Sequence, residues 1–234
     1  MVKNLSCSAS ASASACEWIV CCLLLLAASP VCSKTHENPA NDLVDIINSN
    51  RTSMKLPSLN RSPGIGCVAL QYAELCKGNC TSNNTLHCSP SEDNFTEIFA
   101  PNCGIELPTF GSITGQIIGC HSKHLGPSQA FSQVLIRDNR TLSLLRNRSY
   151  TEVGVGVVHQ SHKGPSYWCV LFSSDRANST FVLEDRGIGI KQKKGCFSGS
   201  SLPCSAAGMK KTTKFANVFM VITCLWILLL QQFE

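Results

Sequence analysis

Four histidines come in two pairs, His121 with His124 and His159 with His162, each spaced i, i+3, and Cys120 adjoins the first pair. On a helix that spacing would put two imidazoles on one face, where they could share a metal ion. Both pairs lie instead in Gly, Ser and Lys-rich stretches that read as loops or turns, so the sequence assigns no metal ligand and implies no cofactor. Nucleophiles are equally sparse. No Gly-x-Ser-x-Gly elbow is present. The cluster Phe197-Ser198-Gly199-Ser200-Ser201 reads as a linker too flexible to hold a nucleophile within catalytic tolerance. Cys169, between Trp168 and Val170 in an apolar run, reads as a buried unpaired thiol. No catalytic residue is assigned, and the expectation is a protein that is not an enzyme.

Both ends of the chain carry sorting chemistry. Lys3 precedes an apolar run from Trp18 to Ala28, followed by small residues at Val31-Cys32-Ser33, the layout of a signal peptide over residues 1–33. At the other end, Ser205-Ala206-Ala207 is followed by a polar spacer through Lys214 and an apolar run from Phe215 to Leu230. Small residues, spacer and tail in that order are a glycosylphosphatidylinositol (GPI) attachment signal. Ser205 is the expected anchor residue, with Ala206, Ala207 and Ser200 as lesser candidates, and 206–234 the propeptide removed. A transmembrane helix fits less well. The run reaches only about 24 Å at 1.5 Å per residue against a core of about 30 Å, and Lys210, Lys211 and Lys214 would lie outside, against the positive-inside bias. The expected localisation is the outer face of the plasma membrane.

The chain has 234 residues and a formal net charge of +5 without long charge blocks, so no nucleic-acid footprint is indicated. Lys191-Gln192-Lys193-Lys194 reads as solvated surface. Between the two signals there is room for one domain, expected at 34–180, with 181–205 as a linker to the anchor. N-glycosylation sequons begin at Asn50, Asn60, Asn79, Asn83, Asn94, Asn139, Asn147 and Asn178, and describe a sugar-covered surface. Asn60 is weakened by Pro63 after Ser62, and Asn79 by Cys80 within its sequon. The segment also holds nine cysteines, Cys67, Cys76, Cys80, Cys88, Cys103, Cys120, Cys169, Cys196 and Cys204. On the secretory route they are disulfide candidates, and the odd count leaves at least one without an intrachain partner.

Asn41 can cap a helix whose apolar face is Leu43, Ile46 and Ile47, ending near Asn50 or Arg51. A second helix fits Gly66 to Lys77 with Gly78 as its stop. From Asn79 to Gly126 the pattern fades into Asn, Ser, Pro and Gly, read as loops stapled by disulfides. A helix follows Pro127, with Ser128 as its cap, then a short turn or helix at Leu142, Leu144 and Leu145. The period then becomes two, predicting strands at Tyr150–Val158 and Tyr167–Phe172 across the turn His162–Pro165. Glycines at 154 and 156 would let another element pack close on one face.

The helix Leu-Val-Asp-Ile-Ile-Asn-Ser-Asn-Arg (43 to 51), the cysteine-bearing second helix and the Gly-x-Gly strand resemble the CAP superfamily of cysteine-rich secretory, antigen 5 and pathogenesis-related proteins over residues 41–175. A closer resemblance is to a plant family of GPI-anchored glycoproteins with a degenerate CAP (SCP-like) domain. It implies an α+β fold, a CAP-like three-layer α-β-α sandwich that is loop-rich and disulfide-stapled, and disulfides among Cys67, Cys80, Cys103 and Cys120. It implies no activity. The histidine and acidic tetrad of metal-binding CAP proteins has no counterpart here, because neither of the first two helices carries a histidine and Arg and Asn precede the Gly154 strand. The expected role is a non-catalytic binding or recognition module facing the wall, a lipid or sterol, or a receptor. The alternatives are a structural cell-wall glycoprotein and a hydrolase with an unrecognised site.

Overall fold

Two proline-started helices and an antiparallel strand pair make the frame. The computed structural model describes residues 38–161, 164–175, 180–187, 194–200 and 204, all within one compact unit, His36–Glu234. Residues 1–37 with the expected signal peptide, His162, Asn178, Lys191-Gln192-Lys193, Ser201 and Ser205 with everything after it lie outside the described residues.

Helix α1 runs Pro39–Ser53 and α2 runs Pro63–Leu75. Each has a proline in its first turn, where no backbone donor is lost. Each is capped by the residue before it: Asn38 Oδ1 accepts from Ala40 N at 3.0 Å and Ser62 Oγ accepts from Ile65 N at 3.4 Å. Both helices therefore begin about three residues earlier than apolar periodicity alone predicts, and Asn38, not Asn41, is the first cap. Strand β1 (Asn60–Arg61) links them. After α2 come a π-helical turn at Asn94–Phe99, helix α3 (Ala100–Cys103) and strand β2 (Gly115–His121). Helix α4 (Pro127–Ala130) continues as a π-helical turn through Leu135, and α5 (Asn139–Leu145) follows. Gly126, not Ser128, is the cap of α4. Strands β3 (Glu152–His159), β4 (Ser166–Ser173) and β5 (Cys196–Phe197) complete the sheet.

The sheet order is β1-β3-β4-β2, with β5 also paired to β3. Strands β3 and β4 are antiparallel, with Val155 opposite Val170 and His159 opposite Ser166, while β2 pairs antiparallel to β4, with His121 opposite Ser166. Alternation along β3 separates two cores. Val153, Val155 and Val157 join Leu43, Val44, Ile47, Trp168, Val170 and Phe172 on the α1 side. Val158 joins Tyr72, Tyr167, Cys169 and Leu171 on the α2 side. With a helix layer over each face, the domain is a three-layer α-β-α sandwich of the α+β class. The glycines on the α2 side set its depth. A Cβ at Gly154 would overlap the backbone of Ile65 and Gly66, and one at Gly156 that of Ala69 and Leu70, so α2 lies directly on the strand.

Two expectations are corrected here. Residues 79–126 are not loop throughout, since β2 forms the edge of the sheet beside β4. Its two glycines, Gly115 and Gly119, hide the strand in the sequence, and the side chains of Tyr150 and Val134 pack where their Cβ atoms would sit. The stretch 181–205 is not simply a linker. Phe181 is buried, Leu183 bridges Ile105, and Cys196-Phe197 adds to β3. Ser198, read as part of a flexible cluster, is fully buried, and its Oγ accepts from Val155 N at 2.9 Å.

Disulfides hold the segments that have little core of their own. Cys67 bonds to Cys103, Cys80 to Cys120, Cys76 to Cys88 and Cys196 to Cys204, and Cys169 is a buried free thiol. The first two pairs join the four cysteines that the family resemblance singles out.

Candidate functional site at the end of the central strands

The pairing register puts His159, Ser166 and His121 in one row across β3, β4 and β2. Side chains opposite one another in adjacent strands project to the same face. After His121 the chain turns back, and buried Leu125 pins the loop to the sheet end. That return brings the exposed ring of His124 against His159, with centroids 4.4 Å apart and planes inclined by 46°. The fold therefore brings together two histidines that sequence spacing kept in separate pairs. Strand register and one loop join a member of each, and His159 lies at a strand end, partly buried, not in a solvated turn.

Ser166, missed in the sequence, is the hub of this row. It is fully buried. Its Oγ accepts from Leu125 N at 3.2 Å, donates toward Lys123 O at 3.4 Å, and lies 3.0 Å from His159 Nδ1. Lys123 N in turn donates to His121 Nδ1 at 3.1 Å. Trp168 packs edge-on to His159 with centroids 6.3 Å apart, and its buried Nε1 has no hydrogen-bond partner among the described residues. Burial, with a smaller contribution from the neighbouring His124, pushes the His159 pKa down to about 4, so the ring is neutral at ordinary pH.

These groups do not form an exposed nucleophile. A serine beside a histidine has the makings of a general-base pair, but Ser166 offers no surface for attack and its oxygen is engaged by the 122–125 loop. Cys169 is likewise sealed, and burial holds its thiol well above the usual value, in the unreactive protonated form. Among the described residues, no group of three or more His, Cys, Asp or Glu side chains is placed to hold a metal ion.

At the other end of β3, Glu152 is buried and accepts from Thr180 Oγ1 at 2.9 Å. Burial raises its pKa, Asp175 adds to the rise, and the Thr180 bond opposes it. The sequence signal was a carboxylate opening an apolar strand. Asp175 Oδ2 accepts from Ser112 N at 2.6 Å, so this cluster ties the segment before β2 to the end of β4.

Of the sequon asparagines, Asn60, Asn79, Asn83, Asn139 and Asn147 are exposed and Asn50 and Asn94 half-buried. Among the described residues no helix is long and apolar enough to cross a membrane.

Fold and site together describe a disulfide-stapled α-β-α domain whose reactive side chains are turned inward. No family model and no curated protein matches the sequence. Among solved structures it is similar to an outer surface protein of Borrelia burgdorferi, at 13% identity and a TM-score of 0.43 over 58% of this chain and 93% of the other. A cysteine-rich secretory protein of Staphylococcus aureus shares 14% identity with a TM-score of 0.40 over 60% of this chain and 40% of the other. An extracellular protein of Bacillus anthracis containing an SCP domain shares 20% identity with a TM-score of 0.42 over 62% of this chain and 43% of the other. This chain thus spans about two fifths of the length of the latter two. The fold assignment stands on the packing described above.

Proposed function

We propose that this chain is a GPI-anchored glycoprotein of the plant cell surface, with a degenerate CAP-like domain that acts as a non-catalytic binding or recognition module. The observation that carries the non-catalytic part is the inward placement of its candidate nucleophiles, Ser166 and Cys169, both fully buried. Four disulfides support maturation in an oxidising compartment. The terminal signals and the sequons support surface display under a coat of sugar. The ligand classes to which such a module is presented are the wall, a lipid or sterol, and a receptor.

Active-site labelling tests the distinction from a hydrolase. The native protein, incubated with a fluorophosphonate and with iodoacetamide, should remain unlabelled at Ser166 and Cys169, and Cys169 should label only after unfolding. Stoichiometric fluorophosphonate modification of Ser166 in the folded protein would replace this reading with a hydrolase, and iodoacetamide labelling of folded Cys169 would overturn its inward placement.

A further inference from the structure

We propose that His124 and His159 form a two-imidazole site for a borderline transition-metal ion, with Cu(II) preferred and water completing the coordination. Hydrogen-bond counting at Ser166 supplies the first argument. A hydroxyl has one proton and two acceptor sites. Leu125 N–H fills one acceptor site of Ser166 Oγ, and the carbonyl of Lys123 takes its proton. With its proton so placed, Ser166 Oγ accepts from His159 Nδ1, 3.0 Å away, in the second acceptor site. This assignment fits all four groups. It leaves Nε2 of His159 with its lone pair bare, and it reproduces the arrangement in which a ligating histidine gives its other N–H to an oxygen that fixes the ring.

Ring spacing supplies the second argument. With metal–nitrogen bonds of about 2.1 Å, two imidazoles at a right angle around one ion have ring centres about 4.5 Å apart, and a tetrahedral angle spreads them to about 5 Å. The centroids of His124 and His159 are 4.4 Å apart. Right-angled nitrogen ligands suit the tetragonal geometry of Cu(II), which also heads the affinity order of the divalent series. Exposed His124 lies on the solvent side and leaves the remaining positions to water. The site differs from the tetrad of metal-binding CAP proteins, none of whose histidines is present in the first two helices, and it does not depend on the anchor reading.

The test uses the full chain carrying His36→Ala, so that Lys34-Thr35-His36, amino-terminal once the expected signal 1–33 is removed, cannot chelate copper; it is purified from a secretory host, dialysed against CuSO4 and examined by electron paramagnetic resonance. The expected result is one Cu(II) per chain with two equatorial nitrogens. His124→Ala, an exposed position, should weaken binding at least tenfold and remove one nitrogen from the spectrum. His87→Ala, on an exposed loop outside this row, should change neither. Ser166→Ala, which removes the oxygen that positions His159, should weaken binding by roughly ten- to a hundredfold while both nitrogens remain. Unchanged affinity in His124→Ala, an equal loss in His87→Ala, or no ion retained against equimolar glycine would overturn the proposal.

Discussion

Arg51 on α1 donates through Nη1 to the carbonyl oxygen of Leu145 at 2.8 Å, tying the first helix to the end of α5 across 94 residues of sequence. The same guanidinium reaches Asn147 O at 3.0 Å and, through Nε, Pro57 O at 3.0 Å. It is fully buried, and burial lowers its pKa. Arginine's fork of donors is what the site uses, because three carbonyls at chain reversals must be satisfied at one point. Arg51→Met fills the volume but strands those carbonyls, each at about 1–3 kcal/mol. Thermal unfolding should move down by at least ten degrees, and a shift under two degrees would show that water replaces the guanidinium at little cost.

Gly156→Ala should be among the most destabilising single-methyl additions in the chain. The added carbon meets the backbone of Ala69 and Leu70, which no rotamer change can move. Overpacking of this kind costs about 1–3 kcal/mol. Gly126→Ala meets nothing within 4 Å and, as a change only of the α4 cap residue, should cost at most about 1 kcal/mol. Denaturant midpoints of the two variants supply the comparison, and equal effects would contradict the close seating of α2.

The disulfide Cys80–Cys120 closes a sequence separation of 40 residues. Removing it as the double variant Cys80→Ser, Cys120→Ser should cost about 4 kcal/mol in the chain-entropy description. Cys80 is also the middle residue of the Asn79 sequon, so the bond and the sugar compete during maturation. Occupancy at Asn79 should rise in the double variant, as read by glycopeptide mass spectrometry. Full occupancy of Asn79 in the parent would remove the competition.

Much of this frame was legible in the sequence. The Gly-x-Gly strand, its partner, the buried Cys169 and the Asn-x-x-Arg helix were read from residue spacing and family resemblance. Helix starts were misplaced because proline at the first turn, not apolar period, sets them at Pro39 and Pro63. Strand β2 was missed because Gly115 and Gly119 interrupt its alternation for reasons of packing. Ser198 looked like linker because its partner, Val155 N, is 43 residues away. The His124 and His159 contact was illegible for the same reason. It depends on the register of three strands, which i, i+3 spacing does not contain.

His159 gives the stability a pH dependence of definite sign. Its folded pKa of about 4 lies below the ordinary histidine value of 6.5. The unfolded chain therefore binds the extra proton first, and stability is present above about pH 6.5 and lost as pH falls toward 4. The loss should be of order 2 kcal/mol, allowing for solvent screening of a ring that is only partly buried. Glu152 works in the opposite sense, since its raised pKa favours the folded state at low pH and loses that contribution as pH rises. Urea midpoints at pH 7 and pH 4.5 should therefore converge in His159→Gln relative to the parent. A parallel offset at both pH values would assign the acid sensitivity to other groups.

Surface display through a lipid anchor is the central claim, and enzymatic release of the anchor tests it most directly. Intact cells producing the chain are treated with phosphatidylinositol-specific phospholipase C beside a known GPI-anchored control. The account predicts that the protein appears in the supernatant with its C-terminal peptide ending at Ser205 and the tail from Phe215 onward absent. Retention on cells from which the control is released, with the residue 215–230 segment still present, would contradict it.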